Sequence, residues 1–363
     1  MKKVYLILQN GRIFEGRAFG ADGQVCGELV FSTGVTGYLQ SLTDPSYYGQ
    51  ILVQTFPLIG NYGLVPEEFE SPDTHLAGYV VRECCDAPSN YRCKGRLDEW
   101  LKERGVVGIC GVDTRALTAI IREYGSMKAI ITDTPPAENS LPDELTVYSV
   151  REASKNAVAT VSCKKQEVFA PSNAKLKVAL YDFGAKKSLI LSLLENGCSV
   201  TLLPYNTPAS EVLSGGYDGV VLSGGPGNPE DDPQVIIEIR KLISRLPILA
   251  TGLGFQLLAL SVGASTSKLK CGHRGSNQPV RDLSLDICCT TYQNHGYTVD
   301  AATLPPYARV SFVNVNDGSV EGIDYPAHRA ISVQFDPEMD GPKNHRRLFD
   351  EFVAMMTNTE KGE

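Results

Sequence analysis

Two glycine-bearing stretches carry the residue types that backbone-centred chemistry needs: Ser223-Gly224-Gly225-Pro226-Gly227-Asn228-Pro229 and Thr251-Gly252-Leu253-Gly254. The first is too short for a nucleotide P-loop, lacks its Gly-Lys-Ser/Thr and does not match dinucleotide glycine spacing. It can offer a nest of backbone N–H groups able to hold an oxyanion or a carbonyl oxygen, although tight turns use the same composition. The second stretch lies between an apolar run, Ile248–Thr251, and a helix-forming run, Gly254–Val262. That is the shape of a nucleophile elbow, in which a strained residue sits at the top of a sheet and the next N–H faces a developing oxyanion. The elbow position holds no nucleophile, because a glycine has nothing to attack with. Cys271, Cys288, Cys289, His273 and His295 lie further along the same half, but none is on the elbow, and a free buried cysteine generally serves as a small core hydrophobe. The Cys271-Gly272-His273 triplet has no second pair at a zinc-type distance and there is no CxxC, so no metal or other cofactor is expected.

The elements that must position these loops follow from Lys175 onward. Strands are expected at Val178–Phe183, Ser199–Leu203, Gly219–Leu222 and Ile248–Thr251, alternating with helices at Ala185–Asn196, Pro208–Ser214, Pro233–Arg245 and Gly254–Val262. All-apolar strands alternating with amphipathic helices argue for a parallel, doubly wound α/β sheet with functional loops at the carboxyl ends of its strands. Strand and turn patterns follow residue 270, and a terminal helix is expected at Lys343–Met356. Residues 1–133 read as an α+β domain: a first strand Val4–Leu8 closed by Asn10-Gly11, further strands at Leu29–Phe31, Ile51–Thr55, Gly78–Arg82 and Lys128–Thr132, and helices at Arg96–Arg104 and Thr114–Tyr124, the second capped by Asp113 or Thr114. Residues 134–174, with Pro135-Pro136, Pro142 and Pro171, read as a connecting segment with one short helix near 145–155.

Composition narrows the class. A chain of 363 residues gives a prior of two domains, at about 150 residues each. With 34 Lys and Arg against 42 Asp and Glu the net charge is -8, the wrong sign for a phosphate backbone or an anionic membrane surface, so neither is an expected partner. Ten cysteines, with Cys84-Cys85 and Cys288-Cys289 adjacent, are too sparse for a disulfide scaffold and point to a reduced, cytoplasmic setting. The charge-free stretch between Arg245 and Lys268 contains Pro247, Gly252, Gly254, Gln256 and Gly263, which suit a buried strand, turn and helix rather than a membrane span.

Longer motifs carry a resemblance over nearly the whole chain. Phe31-Ser32-Thr33-Gly34-Val35-Thr36-Gly37-Tyr38, Leu42-Thr43-Asp44-Pro45-Ser46-Tyr47, Pro57-Leu58-Ile59-Gly60-Asn61-Tyr62-Gly63 and Gly111-Val112-Asp113-Thr114-Arg115-Ala116-Leu117-Thr118 occur in the first half. Tyr181-Asp182-Phe183-Gly184-Ala185-Lys186, the loop 223–229, Gly272 to Val280 and Gln293-Asn294-His295-Gly296-Tyr297 occur in the second. With these the chain resembles the small, amidotransferase subunits of carbamoyl-phosphate synthases, whose C-terminal half is a class I glutamine amidotransferase. The resemblance implies a small-subunit domain over 1–133, an amidotransferase-like domain over 175–363, a large-subunit partner and a place in pyrimidine or arginine biosynthesis. It also implies a glutamine site at Ser46, Gly225, Gly227, Leu253, Gln256, Asn294, Gly296 and Tyr297, all of which carry the family's residue or a similar one.

The resemblance fails where the family's chemistry resides. The family elbow Gly-Ile-Cys-Leu-Gly-His-Gln is matched by Ala250-Thr251-Gly252-Leu253-Gly254-Phe255-Gln256, so glycine replaces the cysteine that attacks glutamine. The family's Gln-Gly-His-Pro-Glu is matched by Gln334-Phe335-Asp336-Pro337-Glu338, so Asp336 replaces the activating histidine and only the orienting Glu338 remains. A cysteine hydrolase needs all three roles, and a carboxylate near its ordinary pKa of about 3.9 is a weak base at neutral pH. Glycine at an elbow relieves backbone strain and keeps the turn. The expectation is a docking or regulatory small-subunit homologue without glutaminase activity, serving a large subunit that uses free ammonia. The alternatives are glutamine hydrolysis through a non-standard residue and a stand-alone glutamine sensor.

Overall fold

The computed structural model describes residues 2–135, 140–339 and 346–357. It divides into two compact units, Met1–Ala157 with Lys270–Gly275, and Val158–Leu269 with Ser276–Glu363.

In the first unit the apolar runs become strands of a closed barrel. These are β1 (Lys3–Leu8), β2 (Ile13–Gly20), β3 (Val25–Ser32), β4 (Gln50–Gln54), β5 (Gly78–Val81), β6 (Val107–Cys110) and β7 (Met127–Thr132). Their order is β1-β2-β6-β5-β4-β3-β7, and β7 pairs back onto β1 in antiparallel fashion, Leu6 opposite Ile131. Pairs β3–β4, β4–β5 and β5–β6 are parallel. Successive strand residues point to opposite faces, so Leu29 and Phe31 enter one core with Ile51, Val53 and Val80, while Val30 enters another with Leu52 and Tyr79. Helices α1 (Tyr38–Thr43), α2 (Leu97–Glu103) and α3 (Thr114–Tyr124) cover the strands. Of the two caps the sequence offers, Asp113 or Thr114, it is Asp113 that caps α3, its carboxylate accepting from the N–H groups of Arg115 and Ala116 at 3.1 and 3.0 Å. The barrel itself is not evident from sequence, because β2, with its mixed exposure, and the four-residue β6 are weak signals alone. The single short helix expected near 145–155 is instead three helical pieces, Asp143–Val147, Val150–Ser154 and Ala157–Val161.

The second unit is the expected α/β sheet. Its strands are β8 (Glu167–Phe169), β9 (Leu176–Asp182), β10 (Cys198–Pro204), β11 (Gly219–Leu222), β12 (Ile248–Thr251), β13 (Thr266–Asp282, apart from its Lys270–Gly275 stretch, which belongs to the first unit), β14 (Ile287–Val299), β15 (Arg309–Asn314), β16 (Val320–Tyr325) and β17 (Ala330–Val333). Among the described residues they run in the order β8-β10-β9-β11-β12-β17-β16-β15-β13-β14, parallel from β10 through β17 and antiparallel beyond it. Val178 and Leu180 face a core closed by α4 (Lys187–Glu195) and α8 (Arg346–Thr357), through Leu189, Leu193, Phe349 and Phe352. Ala179 and Tyr181 face the opposite core, closed by α5 (Ala209–Ser214), α6 (Pro233–Leu242) and α7 (Leu253–Ser261), through Val212, Ile239 and Leu258. Each parallel strand is thus buried on both faces, which is why its sequence is apolar throughout rather than alternating. The terminal helix is observed at Arg346–Thr357, and the expected start at Lys343 lies outside the described residues.

Candidate functional site

The carboxyl ends of β9, β11, β12 and β17 are adjacent in the sheet, and the loops leaving them carry the residues singled out by sequence. At the end of β12 the backbone of Gly252 adopts φ 53° and ψ -114°. That is the strained conformation of an elbow, which side-chain-bearing residues rarely adopt. The next residue, Leu253, begins α7, whose side chains are nearly all buried, Phe255 among them. The elbow is tied on two sides: Gly252 N–H donates to the Val333 carbonyl at 3.0 Å, and Gly254 N–H to the Ser223 carbonyl at 2.9 Å. Gly254 is required here, since a Cβ would lie 2.3 Å from the Leu222 carbonyl oxygen.

The loop after β11 packs with equal closeness. Ser223 Oγ accepts from Phe183 N–H at 2.9 Å and donates to the Gly224 carbonyl at 2.8 Å. A Cβ on Gly225 would stand 2.1 Å from the Phe183 carbonyl, and one on Gly252 would stand 3.0 Å from Gly224 Cα. The 223–227 turn, the Phe183 turn and the elbow therefore share one small volume. Gly227 has φ 95°.

The segment after β17 brings in the other family positions. Phe335 is fully buried, and Asp336 N–H donates to the Tyr292 carbonyl at 3.0 Å. The Asp336 carboxylate forms a buried ion pair with the Lys186 ammonium, both side chains being less than a tenth exposed. Lys186 Nζ also lies 5.0 Å from the centre of the Tyr292 ring, a cation–π distance. At the position of the family's neutral base, then, stands a carboxylate already engaged by a cation. Glu338 follows two residues later, half-buried.

Of the positions implied for glutamine, Gly225, Gly227, Leu253, Gln256, Asn294, Gly296 and Tyr297 lie in the second unit and Ser46 in the first. Gln256 is buried, and its amide donates both to the Tyr297 carbonyl at 3.1 Å and to Gln334 Oε1 at 2.8 Å. Asn294, Gly296 and Tyr297 are partly exposed residues of β14. Ser46 sits in a turn capped by Asp44, whose carboxylate accepts its N–H at 2.8 Å.

Beneath these residues runs a buried polar network that sequence reading missed. Glu321, fully buried on β16, accepts from Gln293 Nε2 and Asn314 Nδ2, each at 3.0 Å. His295 bridges the Tyr297 carbonyl (Nδ1, 2.7 Å) and Gln293 Oε1 (Nε2, 3.1 Å), with Nε2 3.9 Å from the Glu321 carboxylate. The available signal was a lone acid inside the apolar run Val320–Ile323. The pairing of Lys186 with Asp336, 150 residues away, has no local signature.

None of the ten cysteines occupies the elbow position. Cys289 is buried, and burial pushes its thiol up to about 11. Cys163 is pushed up to about 12 by burial and the nearby Asp182 carboxylate. Cys288 is exposed, and Cys271 belongs to the first unit.

Known proteins resemble this chain in sequence along nearly its whole length. Residues 179–355 match the class I glutamine amidotransferase family, and residues 6–131 match the CPSase domain of the carbamoyl-phosphate synthase small chain. The carbamoyl phosphate synthase small chain of Clostridium perfringens is 47% identical over 352 residues, 97% of this chain and 99% of its own. Those of Streptococcus pneumoniae (44%, 98% of each chain) and Bacillus caldolyticus (43%, 99% of each) are comparable. A solved glutamine amidotransferase from Thermotoga maritima covers 51% of this chain and 99% of its own, at 20% identity and a TM-score of 0.41. The chain belongs to the carbamoyl-phosphate synthase small-chain family.

Proposed function

We propose that this chain is a small-subunit homologue that no longer hydrolyses glutamine and instead docks on a carbamoyl-phosphate synthase large subunit working from free ammonia. The observation that carries this is the elbow: the backbone keeps the strained geometry of a nucleophile position, yet the residue there is Gly252. Acyl transfer to a thiol requires a thiolate and a base that takes and returns a proton. The side chain that would act as base is Asp336, engaged with Lys186 in a buried ion pair. Loss of a comparable nucleophile costs on the order of 10⁶ in turnover in subtilisin, a different hydrolase. The surrounding scaffold is intact, which favours continued service as a folded subunit. A full-length relationship to small chains supports the partner.

The test is reconstitution with the large subunit encoded in the same organism. Association, carbamoyl phosphate formation from ammonium salts and none from glutamine are expected; glutamine-dependent synthesis at a comparable rate would overturn the reading. Calorimetry with glutamine separates a retained but silent pocket from a lost one.

A further inference from the structure

We propose that the place of the lost acid–base group has become a cage for a primary ammonium group, filled in this chain by its own Lys186. The proposal goes beyond the functional reading above and borrows from it only the assignment of Asp336 to that place. One wall is the Asp336 carboxylate, buried and paired with the Lys186 ammonium. Another is the Tyr292 ring, whose centre is 5.0 Å from Lys186 Nζ. The two walls are fixed to each other, because Asp336 N–H donates to the carbonyl of Tyr292 itself.

The lysine is equally fixed at its root. Asp182 Oδ1 accepts from Gly184 N–H at 3.0 Å and Ala185 N–H at 2.7 Å, which sets the turn that delivers Lys186 to the start of α4. Its side chain runs inward from there and is only 5% exposed. An unpaired charge at such depth is costly, whereas a paired one is tolerated, so each partner makes the burial of the other affordable. A quadrupolar ring face adds attraction for a compact cation beyond what it offers a neutral group. The carboxylate is thus committed to an ammonium, and the cage selects that group by charge and hydrogen-bonding capacity.

Cutting Lys186 back to alanine removes Cγ through Nζ, the atoms of n-propylammonium, and leaves the walls in place. In urea unfolding of the full chain, Lys186→Ala and Asp336→Asn are each expected to lower the folding equilibrium constant by roughly 10²- to 10³-fold, with the double variant far less damaged than the product of the two. n-Propylammonium chloride should restore Lys186→Ala saturably, and sodium chloride or 1-propanol should not; Lys186→Ala/Asp336→Asn should not respond. If Lys186→Ala does not fold unaided, refolding yield with n-propylammonium against sodium is the readout. Independent, multiplying losses, or equal effects of n-propylammonium and sodium, would overturn the cage. Glutamine hydrolysis by the wild-type chain would overturn the functional reading and leave the cage standing, so the two failures are distinguishable.

Discussion

The N–H of Gly252 donates to the carbonyl of Val333 at 3.0 Å, so the elbow is pinned to the strand that runs on into Gln334 and Asp336. Positions 252 and 336, where the family carries its cysteine and its activating histidine, therefore sit on one hydrogen-bonded frame. Parallel pairing of β12 with β17, Thr251 opposite Val333, sets that frame before any side chain is considered.

Gly252→Ala should destabilise the chain by about 1–3 kcal/mol in urea unfolding, because alanine at φ 53° is strained and its Cβ meets Gly224 Cα at 3.0 Å. Gly252→Cys should cost a similar amount and release no more ammonia from glutamine than wild type, since the side chain at the family's base position is an Asp336 carboxylate already paired with Lys186.

Gly254→Ala should be far worse. The new Cβ would stand 2.3 Å from a backbone oxygen of β11, and neither backbone can give way without moving a core strand. A loss of at least about 3 kcal/mol, or insoluble protein, is expected. Gly216→Ala, at φ 66° with open space around it, should cost only about 1–2 kcal/mol.

Glu321→Gln tests the buried network. Gln293 and Asn314 each donate to a different oxygen of Glu321, and an amide offers only one acceptor oxygen. One donor must face another, with an expected loss of about 1–3 kcal/mol in denaturant titration.

Alkylation with peptide mapping should mark Cys288 first, as the exposed thiol. Burial pushes Cys26 up to about 11 and Cys84 up to about 12, so their thiolates are about a thousandth or less of the total at pH 8. Preferential capture of a buried cysteine by a glutamine-like electrophile would instead argue for a hidden nucleophile.

Acid stability should depend on Asp282. Burial pushes its pKa upward, but the Ser284 hydroxyl, the N–H groups of Leu285 and Ser284, and Arg347 outweigh it and hold the carboxyl below its ordinary 3.8. A depressed folded-state value stabilises the chain above the unfolded pKa, and that contribution disappears as pH falls through the folded value. Asp282→Asn should lower stability at neutral pH and flatten the loss below about pH 4, measured by thermal melts across pH.

Much of this was legible in sequence because it is locally encoded. The all-apolar strands of the second unit, the Asp113 cap and the turn at Gly252 follow from composition over a few residues. The barrel was not, because closure depends on β1 meeting β7 across more than a hundred residues of chain. The Lys186–Asp336 pair was equally hidden: nothing local to either residue points to the other, and only the adjacency of loops at the sheet's end brings them together.

The ring of strands in the first unit has a consequence for how a partner can be recognised. Every described barrel strand already spends its backbone hydrogen bonds on two neighbours. Such a ring offers no template for a visiting chain to extend by main-chain pairing, so β-augmentation is closed to it. Recognition through the ring itself must be written in side chains and loops, where single substitutions can retune it without touching the fold.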